Sequence, residues 1–507
     1  MLPRTFSCEG SPDFDEVRRL IFQMSEIVST AWWQSKLARR FDYVAVVVAI
    51  AVVGRLAFEE DLSWVVGVIV GITVVLLTLT RWPFGALTVL IGMSAMPVFF
   101  VDVFGWKARP EHFAALIVSI ALCQWLLRHK RRVNLEKMDY WVLAYVAINY
   151  ISSVLGSSEP SATLRWALQN NLAVLPYFLI RLLVRDLETL RKAFQILLAA
   201  GIVACLYGIL CYASYYVFGT TAGMQVGLYL VDVSAPYGSM TEANLFGAYA
   251  GCCAVLFLAL FLGEQRRIVS LAGFLLASLA AVLSFSRAAN LALVVAIGFV
   301  FWKSRHARTN ETRKLTTRKL TALMLPATLI LVVTASAFSG VLRERFSSLF
   351  SQGLADETTI TRLVEIQEAL QDISGHPVLG SGTASFQLSF DWGKYIPDWA
   401  NKATWVGNIT IRVLHDTGVL GLATLLGFFI SVWFKVRRSL RFDSTQVSML
   451  LGLSAGALLY GISFQATDGT ILAFPWVHFG FLTTAASLVN SAKENVAGPG
   501  VAEQKSI

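Results

Sequence analysis

Charge is what this chain has least of. Only 15% of its 507 residues are Asp, Glu, Lys or Arg, against about 25% in an ordinary soluble domain. That excludes an ordinary soluble enzyme. It also excludes a disordered chain, which needs high charge and low hydrophobicity. Alternation of apolar and polar residues over strand-length stretches is missing, which argues against an outer-membrane barrel. The six cysteines, Cys8, Cys123, Cys205, Cys211, Cys252 and Cys253, contain no CxxC pair, so neither a zinc site nor a disulfide framework is indicated. No Walker motif, GxGxxG, HExxH or nucleophile elbow occurs, so no metal or nucleotide cofactor is expected.

What is present is apolar length. Hydrophobic residues make up 56% of the chain, and they fall in long unbroken runs. A spanning helix needs about 20 apolar residues. By that rule the expected fold is all-α, a polytopic transmembrane bundle of about fourteen spans. These are 42–58, 63–80, 83–104, 112–127, 139–155, 164–184, 194–218, 241–263, 268–284, 287–302, 319–339, 405–434, 446–464 and 470–490. The balance is basic, 42 Lys and Arg against 33 Asp and Glu. In a membrane protein such an excess orients the chain and does not point to nucleic acid. With both termini cytoplasmic, the dense clusters Arg128–Arg132, Lys303–Lys319 and Lys435–Arg438 share the inner side, as the positive-inside rule requires. The start of the chain, with its acidic stretch Ser11–Glu16, does not read as a signal peptide. Residues 1–40 read as a cytoplasmic tail and 41–339 as the first part of the bundle. Residues 340–404 read as a large outer loop, 405–490 as the rest of the bundle, and 491–507 as a second cytoplasmic tail.

Within the loop, Ile360, Leu363, Ile366, Leu370 and Ile373 recur at helical spacing, which predicts an amphipathic helix over 358–374. Gly375 and Pro377 end it. The aromatics Phe386, Phe390, Trp392, Tyr395 and Trp399 follow; such rings anchor at headgroup level or stack on sugars. Segment 405–434 is too long for one simple crossing. Gly418–Phe434 suffices to cross, which leaves Asn408, Arg412, His415 and Asp416 above it.

The candidate chemistry gathers on this outer side, and each residue keeps a structural reading beside the functional one. Arg287, between two apolar runs, is either an interfacial snorkelling arginine or a fixed fork for a phosphate oxygen. Arg362 pairs with Glu365 at i,i+3, or joins Arg343, Arg345 and Arg412 in binding an anion. Glu242 either caps a helix in the box Ser239-x-x-Glu242 or accepts a proton from a hydroxyl; Asn244 stands beside it. His415 is a base or a partner of Asp416.

Three stretches together carry a resemblance. GSMTEANLFGAYA begins at Gly238 and LSFSRAANLAL at Leu283. The third runs from Arg362 through HPVLGSG at His376 to GNITIRVLHDTGVLG at Gly407. In order and spacing, residues 238–425 resemble the O-antigen ligase and O-antigen polymerase superfamily. The resemblance implies a metal-independent glycosyltransferase of the bacterial inner membrane. Its donor and acceptor would be glycans on undecaprenyl diphosphate, met at the periplasmic face. Arg287 and Arg362 match the arginines held to bind the diphosphate. Ligases carry a histidine before the Asn of an H-N-x9-G-x-x-G pattern. Here that Asn is Asn408 and the preceding residue is Gly407, which cannot take a proton.

The expectation is therefore a polymerase of O-antigen or exopolysaccharide repeat units. Arg287, Arg362, Glu242 and His415 would be catalytic, and Arg412, Asn244, Asn408, Arg343 and Arg345 would bind substrate. The alternatives are a ligase that moves finished glycan to lipid A core or protein, and a lipid-linked sugar flippase. The partners expected are the bilayer and the lipid-linked glycans, with a chain-length regulator left open.

Overall fold

A backbone surrounded by lipid must satisfy its own N–H and C=O groups, so long apolar runs become helices. The computed structural model describes residues 75–78, 80–103, 106–130, 133–228, 233–263, 267–306, 357–395, 405–440 and 445–497. The chain divides into Met1–Leu76 and Leu77–Ile507, and every element named belongs to the second unit. In order these are α1 (Phe84–Ser94), β1 (Val101–Val103), β2 (Trp106–Ala108), α2 (Pro110–Arg128), α3 (Lys137–Leu155), α4 (Pro160–Leu183) and α5 (Leu187–Phe218). Then come β3 (Met224–Leu228), β4 (Val233–Pro236), α6 (Ala243–Leu262), α7 (Arg267–Leu283) and α8 (Arg287–His306). The last are α9 (Glu357–Gly375), the short α10 (Phe386–Ser389), α11 (Ile409–Ser439), α12 (Thr445–Ser463) and α13 (Ala473–Ala497).

The described residues are mostly helical, and five helices are long and apolar enough to cross a membrane: α2, α5, α6, Arg287–Ser304 of α8, and α11. Helix α6 is apolar on every side and almost wholly buried, as a helix ringed by other helices must be. It packs on α5, α7, α8 and α12. Helix α11 lies against α3 and α13, and α13 against α4. The starts of α6 and α11 meet the turn between α12 and α13 at one end, where Glu242 and Arg412 bond Thr467 and Asp468. Lys435, in the last turns of α11, lies at the other end.

That other end is tied by a four-charge network. Arg181 Nε meets Asp139 Oδ1 at 2.7 Å and Arg181 Nη2 meets Glu136 Oε1 at 3.4 Å. Lys435 pairs with Glu136, Tyr177 donates to Asp139 Oδ1 at 2.7 Å and Ser487 to Glu136 Oε1 at 2.8 Å. Two carboxylates and two cations balance, and α4, α11 and α13 are held to the start of α3.

The mostly helical described residues agree with the expected all-α membrane fold, with details that change. Two short antiparallel hairpins, β1–β2 and β3–β4, lie at the end where α6 begins. Hydropathy alone does not separate short β-branched and aromatic strands from helix. The predicted span 83–104 shortens to α1, because Pro97 cannot continue the helix. Helix α13 runs through residue 491, the expected start of a tail, to Ala497. The predicted spans 42–58 and 319–339, residues 63–74 and 79 of 63–80, and the tail 1–40 lie outside the described residues. So do Arg343 and Arg345; of the loop 340–404, residues 357–395 are described.

Candidate functional site

Glu242 is the N-cap residue of α6, with extended backbone (φ −148°, ψ 151°), yet its side chain makes no cap hydrogen bond. The capping box does not form: the buried Ser239 hydroxyl has no hydrogen-bond partner among the described residues. Gln225 of β3 accepts from the Ala243 N–H instead, at 3.4 Å. The Glu242 carboxylate turns across the bundle and accepts from Thr467 Oγ1 at 3.2 Å. Desolvation pushes its pKa above the ordinary carboxylate value; the Thr467 hydrogen bond and the Arg362 charge oppose the rise, and Asp468 adds to it.

Helix α9 is amphipathic as expected, but its apolar stripe faces outward. Ile360, Leu363 and Leu370 are each nearly half exposed, while Ala369 is fully buried. Leu363, Ile366 and Leu370 line an open groove. Another face packs on α11 and carries Arg362 toward Gly407; the half-exposed Asp372 reaches His415 from the helix end. Arg362 Nη1 is buried and has no hydrogen-bond partner among the described residues. A β-carbon at Gly407 would lie 3.1 Å from that nitrogen. The glycine leaves the guanidinium its place.

Arg412 is held on three sides. Nη1 meets Asp416 Oδ2 at 3.1 Å, Nη2 donates to Thr470 Oγ1 at 2.8 Å, and Nε pairs with Asp468. Thr470 donates in turn to Asp468 Oδ1 at 2.7 Å. His415 is fully buried. Its Nδ1 faces Asp416 Oδ1 at 3.1 Å, its Nε2 faces Asp372 Oδ2 at 3.4 Å, and Phe386 meets the ring edge-on. Asn408 caps α11 by accepting from Ile411 N at 3.0 Å, and it donates to the Gln465 carbonyl at 3.0 Å. Of the loop aromatics, Phe390 stacks on Phe386 and Tyr395, and Trp392 meets Phe390 and Tyr395 edge-on; Trp399 lies outside the described residues.

Helix α11 breaks where its length required. Gly418 is non-helical at φ 63°, a conformation that favours glycine. The break frees backbone groups, and the HPVLGSG loop takes them up. Val419 and Leu420 donate to the Pro377 and Val378 carbonyls, and Ser381 and Gly382 donate to the His415 and Asp416 carbonyls. Irregular backbone at such a depth needs partners of this kind.

Arg287 opens α8 behind a tight turn. Ser286 Oγ accepts from Ala289 N at 3.3 Å, and Phe285 sits at φ 51°. A β-carbon at Gly247, five residues past Glu242, would lie 2.4 Å from Ser284 Oγ, so this turn packs on the first turns of α6. Helix α9 in turn packs on the broken α11.

Residues 272–426 match the O-antigen ligase family model. The match supports the O-antigen ligase and polymerase superfamily. No curated protein matches the chain.

The ligase-family segment includes Arg287, Arg362, His415, Arg412 and Asn408. Glu242 and Asn244, the second residue of α6, precede it, and the 467–470 turn follows it. Around that turn the structure joins Glu242, Arg362 and Arg412, three of the expected residues. Arg412, His415 and Asn408 are bound within the protein at every polar group described, whereas Arg362 keeps a buried nitrogen unfilled. Sequence reasoning passed over Thr467, Asp468 and Thr470 because they sit at the edge of an apolar run. An acid in a Thr-Asp-Gly-Thr turn between two spans was the available signal.

Proposed function

We propose that the chain is a membrane glycosyltransferase that polymerises oligosaccharide repeat units carried on undecaprenyl diphosphate. The reaction would take place at the periplasmic face of the inner membrane. The carrying observation is the buried, unfilled Arg362 Nη1 beside Gly407 and within electrostatic reach of Glu242. A cation held ready next to a carboxylate is what this transfer needs. An acceptor hydroxyl oxygen attacks the anomeric carbon of the donor glycan. The bond from that carbon to the diphosphate oxygen breaks, and its electron pair leaves with the diphosphate. The hydroxyl proton passes to Glu242. Arg362, with Arg287, meets the charge growing on the leaving group, where fixed donors act most strongly.

In this reading Arg412 and His415 are positioning residues. Arg412 fixes the turn that presents Thr467 to Glu242, and His415 joins α11 to α9 and so holds Arg362. The outward apolar stripe of α9 fits a helix lying at a lipid interface. The test is a ladder assay on the purified, reconstituted protein, given a single lipid-linked repeat with a chelator present. A ladder of lengths is expected, and Arg362→Ala should lose it while remaining folded. Folded Arg362→Ala protein that still builds full-length chains sinks the proposal. A ligase is the second reading, favoured by the description of the matched family; it yields no ladder without its own acceptor.

A further inference from the structure

The β3–β4 hairpin and the end of α5 build an aromatic and hydroxyl-rich face beside the candidate site. Tyr212, nearly buried, stacks at a tilt 4.9 Å from Tyr216 and 6.1 Å from Phe285. Tyr215 meets Tyr216 edge-on at 5.2 Å. Ser234 of β4 donates to the Tyr215 hydroxyl at 3.0 Å. The hairpin closes on Gly223, whose carbonyl accepts from Tyr237 N and Gly238 N. Two links run from this face to the site: Phe285 is two residues from Arg287, and the Gln225 side chain bonds Ala243, next to Glu242.

Rings that only anchor at a membrane interface need no fixed arrangement. Here Tyr212, itself packed on Phe285, supports Tyr216, and the Ser234 hydroxyl pins Tyr215. Tyr216 is 57% exposed, and Tyr215 and Gln225 are half-buried. A sugar ring has an apolar C–H face and a hydroxyl rim. It matches an exposed ring set edge-on to a pinned phenol, and the fixed side chains lower the ordering cost of binding it. We propose that Tyr215 and Tyr216 form a carbohydrate subsite that seats a sugar of the glycan next to the reacting bond. The position of that sugar in the reaction rests on the transferase reading; the binding itself does not.

The probe is the delipidated oligosaccharide repeat, released from the surface polysaccharide of the cells that carry the gene. Its binding to the full-length protein in detergent is followed by saturation-transfer NMR. Tyr216→Ala should weaken binding about tenfold, with unchanged thermal unfolding, and Tyr216→Phe should stay close to the parent. Arg362→Ala should bind the oligosaccharide as the parent does, while losing chain growth. If the parent protein binds no oligosaccharide, or Tyr216→Ala binds within twofold of it, the subsite is wrong. If the parent builds no chains yet binds through Tyr216, the subsite stands and the polymerase reading falls.

Discussion

Arg362 and Gly407 share one space: the guanidinium Nη1 lies 3.1 Å from where a β-carbon on residue 407 would stand. A glycine precedes the capping Asn408 and leaves room for the arginine that α9 carries inward. In the proposed reaction this glycine, which donates nothing, is as necessary as the residues that do.

Gly407→Ala should therefore act through Arg362. We expect chain formation to fall by about 10²-fold, the scale of a small misplacement in a catalytic geometry. Arg362→Ala itself should cost about 10²–10³-fold. Rates from the ladder assay check both. A Gly407→Ala protein with the parent rate would show that the arginine has another route to its position.

Glu242 governs the pH dependence. Its pKa is raised by burial, so the carboxylate needed to accept a proton forms only above the ordinary carboxylate range. Activity should rise with pH along a limb displaced upward from about 4.3. Glu242→Gln should remove that limb and about 10²–10⁴ in rate. Thr467→Val removes a hydrogen bond that favours the charged form, so the limb should move higher still. A rate–pH profile for the three proteins decides this.

Asp468 is a stability residue. Removing one partner of a buried ion pair costs about 3–5 kcal/mol, because the other charge remains buried. Asp468→Ala should destabilise by that order, with Arg412 left to Asp416 and Thr470. Denaturant unfolding in detergent measures it, and a change under 1 kcal/mol would contradict the network described.

The network at the opposite end predicts acid sensitivity. Partial burial by itself would raise the Glu136 pKa, but hydrogen bonds from Lys435 and Ser487 outweigh it and hold the value below normal. A depressed folded value means the stabilisation is present above the unfolded pKa of about 4.3 and is lost as pH falls through the lower folded value. The melting temperature should drop on acidification below about pH 4.3. The same series on Glu136→Gln, starting lower, should drop less.

The sequence determined what depends on composition and local pattern. Long apolar runs made the helices, and from α2 through α8 their boundaries agree within four residues except at the start of α5, which lies seven residues earlier than expected. Excess length over one crossing placed the break in α11 at Gly418, and Gly375 with Pro377 ended α9. The motif set from Leu283 to Gly421 pointed to the family segment. Only the tertiary structure decided which face of α9 turned inward. Periodicity identifies an apolar stripe but not what it meets, and here that stripe faces out while Arg362 faces the site. Folding also decided that Glu242 would not cap α6, because Gln225, from a hairpin invisible to hydropathy, reached the helix start first. It chose between the readings of Arg412 as well: Asp468, more than fifty residues along the chain, comes to its side only when α11 and the turn before α13 pack together. Local sequence sets the elements, because backbone hydrogen bonding in an apolar medium is a local demand. Partners for buried charges come from distant segments, so they exist only once the chain has folded.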